Sequence, residues 1–277
     1  MISINNLSFA YRKKPVFNGL DLQFKPGHVY GLLGRNGTGK SSLLRNIAGL
    51  LSPQKGQITV NGYTPFERLP AFLQDVYMVP EEFFLPDIPV TDFVKHNAVF
   101  YPSFNREKFE NYISVFEIPV ESTMQNMSYG QKKKVLIAFA MATNVRVLLM
   151  DEPTNGLDII GKSQFRKILA EALDEERCVI VSTHQVKDLE NLIDRITVID
   201  EGRILFDQTV ERITQKLSFR FAYSDADRQT AFYSESSLSG NVVVAENTGG
   251  EEGKLDLELL YKAIMANSEK ITKLFQA

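Results

Sequence analysis

Short apolar runs punctuated by turn residues alternate along this chain with stretches whose apolar positions recur every three or four residues. His28-Val-Tyr-Gly-Leu-Leu-Gly34, Val147-Leu-Leu-Met150 and Cys178-Val-Ile-Val181 are apolar without polar alternation. Runs of that length suit strands buried on both faces, as in a parallel sheet. After Lys40, apolar residues at 43, 44, 47 and 48 followed by Gly49 predict a helix with a glycine stop. Lys162 to Leu173 predicts a second helix, between the other two buried strands. This β-α-β alternation predicts a mainly parallel α/β sheet.

Ahead of that core, Ile2 to Tyr11 and Val16 to Phe24 predict antiparallel strands joined by the basic turn Arg12-Lys-Lys-Pro15, and Gly56 to Gly62 predicts another short strand. From Thr91 to Phe116 the pattern turns helical and aromatic, with Phe93, Val94, Ala98, Phe100, Phe109, Tyr112, Ile113 and Phe116. Another helix is expected over Lys132 to Ala142. Beyond about residue 206 the texture changes. Strand candidates at 217–223 and Val242–Val244, a polar stretch at Asp225–Arg228, a turn at Asn247–Gly250 and a closing amphipathic helix (Leu257, Leu260, Ile264, Ile271, Leu274) predict a small appendage, too apolar and periodic for a solvated tail.

Composition narrows the class. With 44% apolar and 23% charged residues the chain reads as a globular protein. A net charge of -3 offers no basic field for nucleic acid. The lone cysteine, Cys178, forms no internal disulfide and fits a reducing compartment. No signal peptide is expected at the N-terminus, and no run of 18 apolar residues spans a bilayer, so work at a membrane requires a partner.

The chemistry begins at Gly34-Arg-Asn-Gly-Thr-Gly-Lys-Ser41, a Gly-x-x-x-x-Gly-Lys-Ser loop between a strand and a helix. Its three glycines, Gly34, Gly37 and Gly39, let consecutive backbone N–H groups turn inward around an anion, and the helix dipole adds positive potential. Lys40 reaches β- and γ-phosphates and Ser41 offers an oxygen to Mg²⁺. Asp151 and Glu152 end a buried strand, suited to holding the metal shell and to activating a water. Ser128 and the Gly130 backbone form a second anion-friendly helix start, although Lys132 to Lys134 would then crowd cations into the first turn. His184 lies at the carboxyl end of another buried strand, where α/β sheets bind ligands.

Together these segments resemble the ATP-binding-cassette (ABC) ATPase family over residues 1 to 206, in the family's motif order. Gly34–Ser41 resembles its Walker A loop, Ser128-Tyr-Gly-Gln131 its signature, Val147–Glu152 its Walker B strand, Asn155–Asp158 its D-loop and His184 its switch histidine. Tyr11 matches the aromatic residue that stacks on adenine. The resemblance implies a P-loop NTPase (RecA-like) core with an N-terminal antiparallel β subdomain, a helical subdomain at about 84–143, and residues 207–277 as an α+β appendage. It implies ATP and Mg²⁺ as cofactors. Gly34, Arg35, Asn36, Gly37, Thr38, Gly39, Lys40, Ser41 and Ser42 would meet the ATP, with Ser41, Asp151 and Glu81 on the metal. Glu152, His184 and Lys40 would be the catalytic groups. The resemblance further implies a head-to-tail dimer, in which Ser128, Gly130, Gln131 and Asp158 close over the partner's nucleotide. It also implies a separate transmembrane permease, with the ATPase on the inner face of the cell membrane.

Two positions depart from the family pattern. Tyr129 replaces a glycine of the signature, and Glu81, with Glu82 beside it, stands where a glutamine normally contacts Mg²⁺. Phe83-Phe-Leu85 then reads either as packing or as a docking groove. The glutamate variant and the appendage resemble ATPases of exporter-type (ABC-2) permeases. A soluble ABC ATPase acting on ribosomes or DNA fits less well, because the chain carries one cassette, no heptads and one cysteine. A P-loop small-molecule kinase leaves Ser128–Gln131 and His184 unexplained.

Overall fold

The structure, a computed structural model, describes residues 1–185, 192–237, 240–249 and 253–276. It opens on β1 (Ile2–Tyr11) and β2 (Lys14–Phe24), which pair antiparallel. The turn between them is tighter than expected: Arg12 takes a positive φ of 54°, and Lys14 and Pro15 already belong to β2. Then come β3 (His28–Leu33), α1 (Lys40–Ile47) and β4 (Lys55–Val60), the last returning to the far edge of β1. A short helix α2 (Pro70–Leu73) precedes β5 (Val76–Val79).

The helical region contains α3 (Val90–Ala98), α4 (Arg106–Val115) and α5 (Tyr129–Ala142). The single helical stretch expected from Thr91 to Phe116 is thus two helices. Pro102 interrupts the run, and Asn105 caps α4 by accepting from the Lys108 N–H at 2.9 Å. Helix α5 starts at Tyr129, earlier than the expected Lys132. Ser128 and Gln131 form a reciprocal capping box, with Ser128 N–H donating to Gln131 Oε1 at 2.9 Å and Gln131 N–H to Ser128 Oγ at 3.2 Å. Lys132 to Lys134 therefore lie past the first turn, and the expected conflict with the dipole disappears.

The chain continues through β6 (Val147–Asp151), α6 (Ile159–Ala172), β7 (Cys178–Thr183), β8 (Arg195–Asp200) and β9 (Arg203–Thr209). The main sheet runs β5-β6-β7-β3-β8-β9, parallel except for the antiparallel edge strand β9. Its central strands are buried throughout and feed two cores by alternation. Leu148, Met150, Val179 and Val181 pack with the helical region, whereas Val147, Leu149, Cys178 and Ile180 pack with α1 and the β1–β2–β4 sheet. Burial pushes the Cys178 thiol up to about 12, so it stays a packing group. A fully buried Arg177 donates to the carbonyls of Met141, Val145 and Ala172 at 2.8–3.2 Å, satisfying the last turns of α5 and α6.

After β9 come α7 (Val210–Lys216), β10 (Leu217–Phe221), α8 (Asp225–Thr230), β11 (Tyr233–Ser237), β12 (Gly240–Glu246) and α9 (Leu257–Gln276). The three strands form an antiparallel sheet in the order β10-β12-β11. The strand expected at 217–223 ends at Phe221, and the polar stretch at Asp225 is helical, capped by Ser224. Gly250 of the expected turn lies outside the described residues. Helix α9 breaks at Asn267, whose Nδ2 donates to the Phe232 carbonyl at 2.6 Å. Its end lies along β9, with Phe275 edge-on to Phe206 and its last carbonyls accepting from Arg212 and Lys216. Among the described residues no helix is long and apolar enough to cross a membrane.

Candidate active site

The loop Gly34–Gly39 leaves the carboxyl end of the central strand β3 and enters α1, the position where open α/β sheets bind ligands. Two of its glycines are required for different reasons. Gly37 has φ 82° with open space where a Cβ would stand, so only its backbone conformation calls for glycine. Gly39 has φ 110°, and a Cβ there would also lie 2.7 Å from the Phe17 ring, so no other residue fits. Lys40 is buried, with Nζ donating to the carbonyls of Gly34 at 2.7 Å and Arg35 at 3.1 Å. Burial lowers its pKa, against the pull of Glu152, Asp151 and Glu81. Thr38 Oγ1 donates to the Arg35 carbonyl at 2.9 Å, while the Arg35 guanidinium turns outward to Asp200.

A cleft of about 540 Å³ opens over this loop. Asn36, Gly37, Thr38, Gly39, Ser41 and Ser42 line it around Lys40. Tyr11 and Lys14 contribute from the first hairpin, and Glu81 and Glu152 supply the carboxylates. Tyr11 is half exposed, with its ring edge-on to Phe9 and its hydroxyl accepting from Ser42 Oγ at 3.3 Å.

Asp151 and Glu152 end β6 in different ways. Asp151 Oδ1 accepts from Ser182 Oγ at 2.5 Å, and its Oδ2 is buried without a partner among the described residues. A desolvated carboxylate oxygen left in that condition is costly and suits a cation. Among the described residues no three acidic, histidine or cysteine side chains converge, so phosphate oxygens would complete such a cation's shell. Glu152 takes a positive φ of 45°, an uncommon conformation that swings its carboxylate toward β7. Its Oε1 accepts from the backbone N–H of His184 at 3.0 Å and from His184 Nδ1 at 2.7 Å, and its Oε2 accepts from Thr183 Oγ1 at 3.1 Å. His184 and Glu152 are thus one hydrogen-bonded unit.

Glu81 lines the cleft, and its Oε1 accepts from Asn155 Nδ2 at 3.0 Å. Asn155 in turn accepts from Gln185 Nε2 at 3.0 Å, linking the loop after β5 to the segments after β6 and β7. That loop is tied to α5 as well. Tyr129 OH donates to the Glu81 carbonyl, and its ring stacks on Phe83 at 5.0 Å. Lys133 Nζ donates to the carbonyls of Pro80 at 2.9 Å and Glu81 at 3.3 Å. The bulk that replaces glycine at position 129 therefore bridges the signature to the loop carrying Glu81. Phe83 packs against the core, whereas Phe84 stands 92% exposed.

Ser128, Gly130, Gln131 and Asp158 gather elsewhere, around a separate cavity of about 230 Å³ that shares no lining residue with the cleft over Lys40. A Cβ on Gly130 would lie 2.6 Å from the Gly156 carbonyl oxygen, so the signature and the D-loop touch through backbone. Asp158 caps α6 by accepting from Gly161 N–H at 2.6 Å. The sequence reading missed Lys133, hidden in a lysine run, and the Asn155–Gln185 link, which no local pattern announces.

The comparisons with known proteins agree with this geometry. A protein-family model described as ABC transporter matches residues 17–155. The chain is 35% identical over 216 residues to the cobalt import ATP-binding protein CbiO of Salmonella typhi, covering 74% of this chain and 79% of that protein. It is 28% identical over 230 residues to the bacitracin transport ATP-binding protein BcrA of Bacillus licheniformis, covering 80% and 75%. Among solved structures, cbiO1 from Clostridium perfringens, part of the ABC transporter complex cbiONQ, superposes with a TM-score of 0.64 at 26% identity, covering 76% of this chain and 89% of that one. This chain belongs to the ABC transporter family of ATP-binding domains, P-loop NTPases that hydrolyse ATP to power transport. These relatives are named for cobalt import and for bacitracin transport, so family membership does not set the direction of transport.

Proposed function

We propose that two copies of this chain, or this chain and a paired ABC ATPase, close head to tail on ATP and drive a separate transmembrane permease of exporter type. The observation that carries this reading is the division of the site. Lys40, Glu81 and Glu152 line one cleft, with His184 hydrogen-bonded to Glu152, whereas Ser128, Gly130 and Asp158 form a separate anion-friendly edge around another. Each copy then holds half of two sites. In this reading residues 1–206 form the nucleotide-binding unit, with the helical part at about 84–143, and residues 207–277 form the appendage.

In the closed pair, Lys40 and the backbone of residues 34–42 neutralise the phosphates, and Tyr11 stacks on the adenine. The Ser128 hydroxyl and the Gly130 N–H face the γ-phosphate from the other copy. Glu152 orients a water and takes its proton as the oxygen attacks γ-phosphorus and the bond to ADP breaks, while His184 fixes the Glu152 carboxylate. Mg²⁺, held by Ser41, Asp151 and Glu81, would supply charge neutralisation on the phosphate oxygens.

A groove of about 620 Å³ between the main sheet and the helical region, lined in part by Leu50, Leu73, Met78, Phe100 and Tyr101, suits an apolar segment of the permease on the cytoplasmic face of the membrane. Exposed Phe84 follows directly on the Glu81 loop, so a partner touching it is coupled to the nucleotide cleft. The test is capture from detergent-solubilised membranes with the tagged chain: an integral membrane permease supports the reading, and ribosomes or DNA alone contradict it. Phe84→Ser should cut transport by that complex at least tenfold while sparing basal ATP hydrolysis. Equal loss of both would show that Phe84 serves packing instead.

A further inference from the structure

The appendage meets the phosphate loop around one cavity. Residues Gly34, Arg35, Asn36, Thr183, His184 and Tyr261 line a cavity of about 300 Å³. Tyr261 comes from α9, distant in sequence but carried there because α9 lies on β9, next to β8, next to β3. Arg35 leaves the end of β3 and Asp200 ends β8, and the two side chains form a forked ion pair at 3.0 and 3.1 Å. The hydroxyl of Tyr261 is buried and has no hydrogen-bond partner among the described residues. Burial and the Asp200 carboxylate raise its pKa while Arg35 lowers it, so the hydroxyl lies within reach of that ion pair's field.

A buried hydroxyl without a partner carries the full cost of its desolvation and calls for an explanation. The Arg35–Asp200 pair supplies one. Arg35 belongs to the loop that meets phosphate, and its side chain is largely exposed, whereas that of Asp200 is only 13% exposed. A polyphosphate competes with Asp200 for the guanidinium, because charged, forked hydrogen bonds to phosphate are among the strongest available. Once Arg35 turns away, Asp200 is left poorly solvated and without its cation. Tyr261, which lines one cavity with Arg35 and has a buried hydroxyl without a partner among the described residues, is the appendage side chain placed to offer a donor there.

We propose that Tyr261 is a positioning residue through which the appendage acts on the phosphate loop, its hydroxyl donating to Asp200 when Arg35 turns to the nucleotide. The proposal needs only nucleotide binding at Lys40, a property of the family, and is independent of dimer formation and of the permease. It gives the appendage a role in setting ATP affinity: anything that shifts α9 removes the stand-in donor and returns Arg35 to Asp200.

The test uses the full chain and a titration with fluorescent ATP alongside thermal unfolding without nucleotide. Tyr261→Phe deletes the hydroxyl and keeps the ring. The ATP dissociation constant should weaken by about 3- to 10-fold, the worth of one net hydrogen bond. The nucleotide-free unfolding midpoint should stay the same or rise, because an unpaired buried hydroxyl has been removed. In an Arg35→Gln background the hydroxyl already serves Asp200, so there Tyr261→Phe should lower the nucleotide-free midpoint. An unchanged dissociation constant, a lowered midpoint in the otherwise native chain, or the same midpoint shift in both backgrounds would each overturn the proposal.

Discussion

Lys133 shows what a single side chain does when its solvent is taken away. It is fully buried, yet it holds two backbone carbonyls of the Glu81 loop and lies 5.4 Å over the Phe83 ring. Burial lowers its pKa to about 8, outweighing the attraction of Asp151, Glu81 and Glu152. In an unfolded chain a lysine titrates near about 10.4. Between those values the unfolded chain binds the proton that the folded chain has released, so this group's contribution to stability rises with pH across that window and is flat below it. Denaturant unfolding of the native chain and of Lys133→Met should therefore diverge in the native chain's favour from pH 8 to pH 10. A difference independent of pH would mean the ammonium is solvated.

At the scale of elements, the signature and the D-loop meet as bare backbone. Gly130→Ala would place a methyl 2.6 Å from the Gly156 carbonyl, which is main chain and cannot swing aside. We expect at least a tenfold loss of ATP turnover and a stability loss of only about 1–2 kcal/mol, typical of local overpacking. Turnover at the native rate would show that the two loops separate freely. The elements themselves were largely legible. The buried parallel strands announce themselves because both of their faces are apolar. Two boundaries were misread although their signals are in the chain: Ser128 and Gln131 spell the capping box that starts α5 before Lys132, and Pro102 marks the break between α3 and α4. Strand β11 was not: Tyr233-Ser-Glu-Ser-Ser237 is a mostly polar edge strand, shaped by its pairing with β12 and not by its own pattern. Helix α7 was too short to show a period. Tyr129 signalled only a departure from a family pattern; its bond to the Glu81 loop depends on tertiary placement. Tyr261 gave no sign at all, because the contact that matters joins opposite ends of the chain.

In the proposed reading the whole molecule is incomplete by itself. One copy gathers Lys40, Glu81 and Glu152 around one cleft, and Ser128 and Gly130 around another. In that reading the capped helix start at Ser128 sits beside Gly156 to meet a phosphate from a second copy. Glu152→Gln keeps the side chain's size and its bond to Thr183, but it replaces the carboxylate proposed to accept the water's proton. Light scattering on a sizing column, with the Glu152→Gln chain in saturating Mg·ATP, weighs the closed pair itself. Closure on shared nucleotide gives a mass twice that of the 31.3 kDa chain, reverting to one copy when nucleotide is removed. A single-copy mass with ATP demonstrably bound would contradict it.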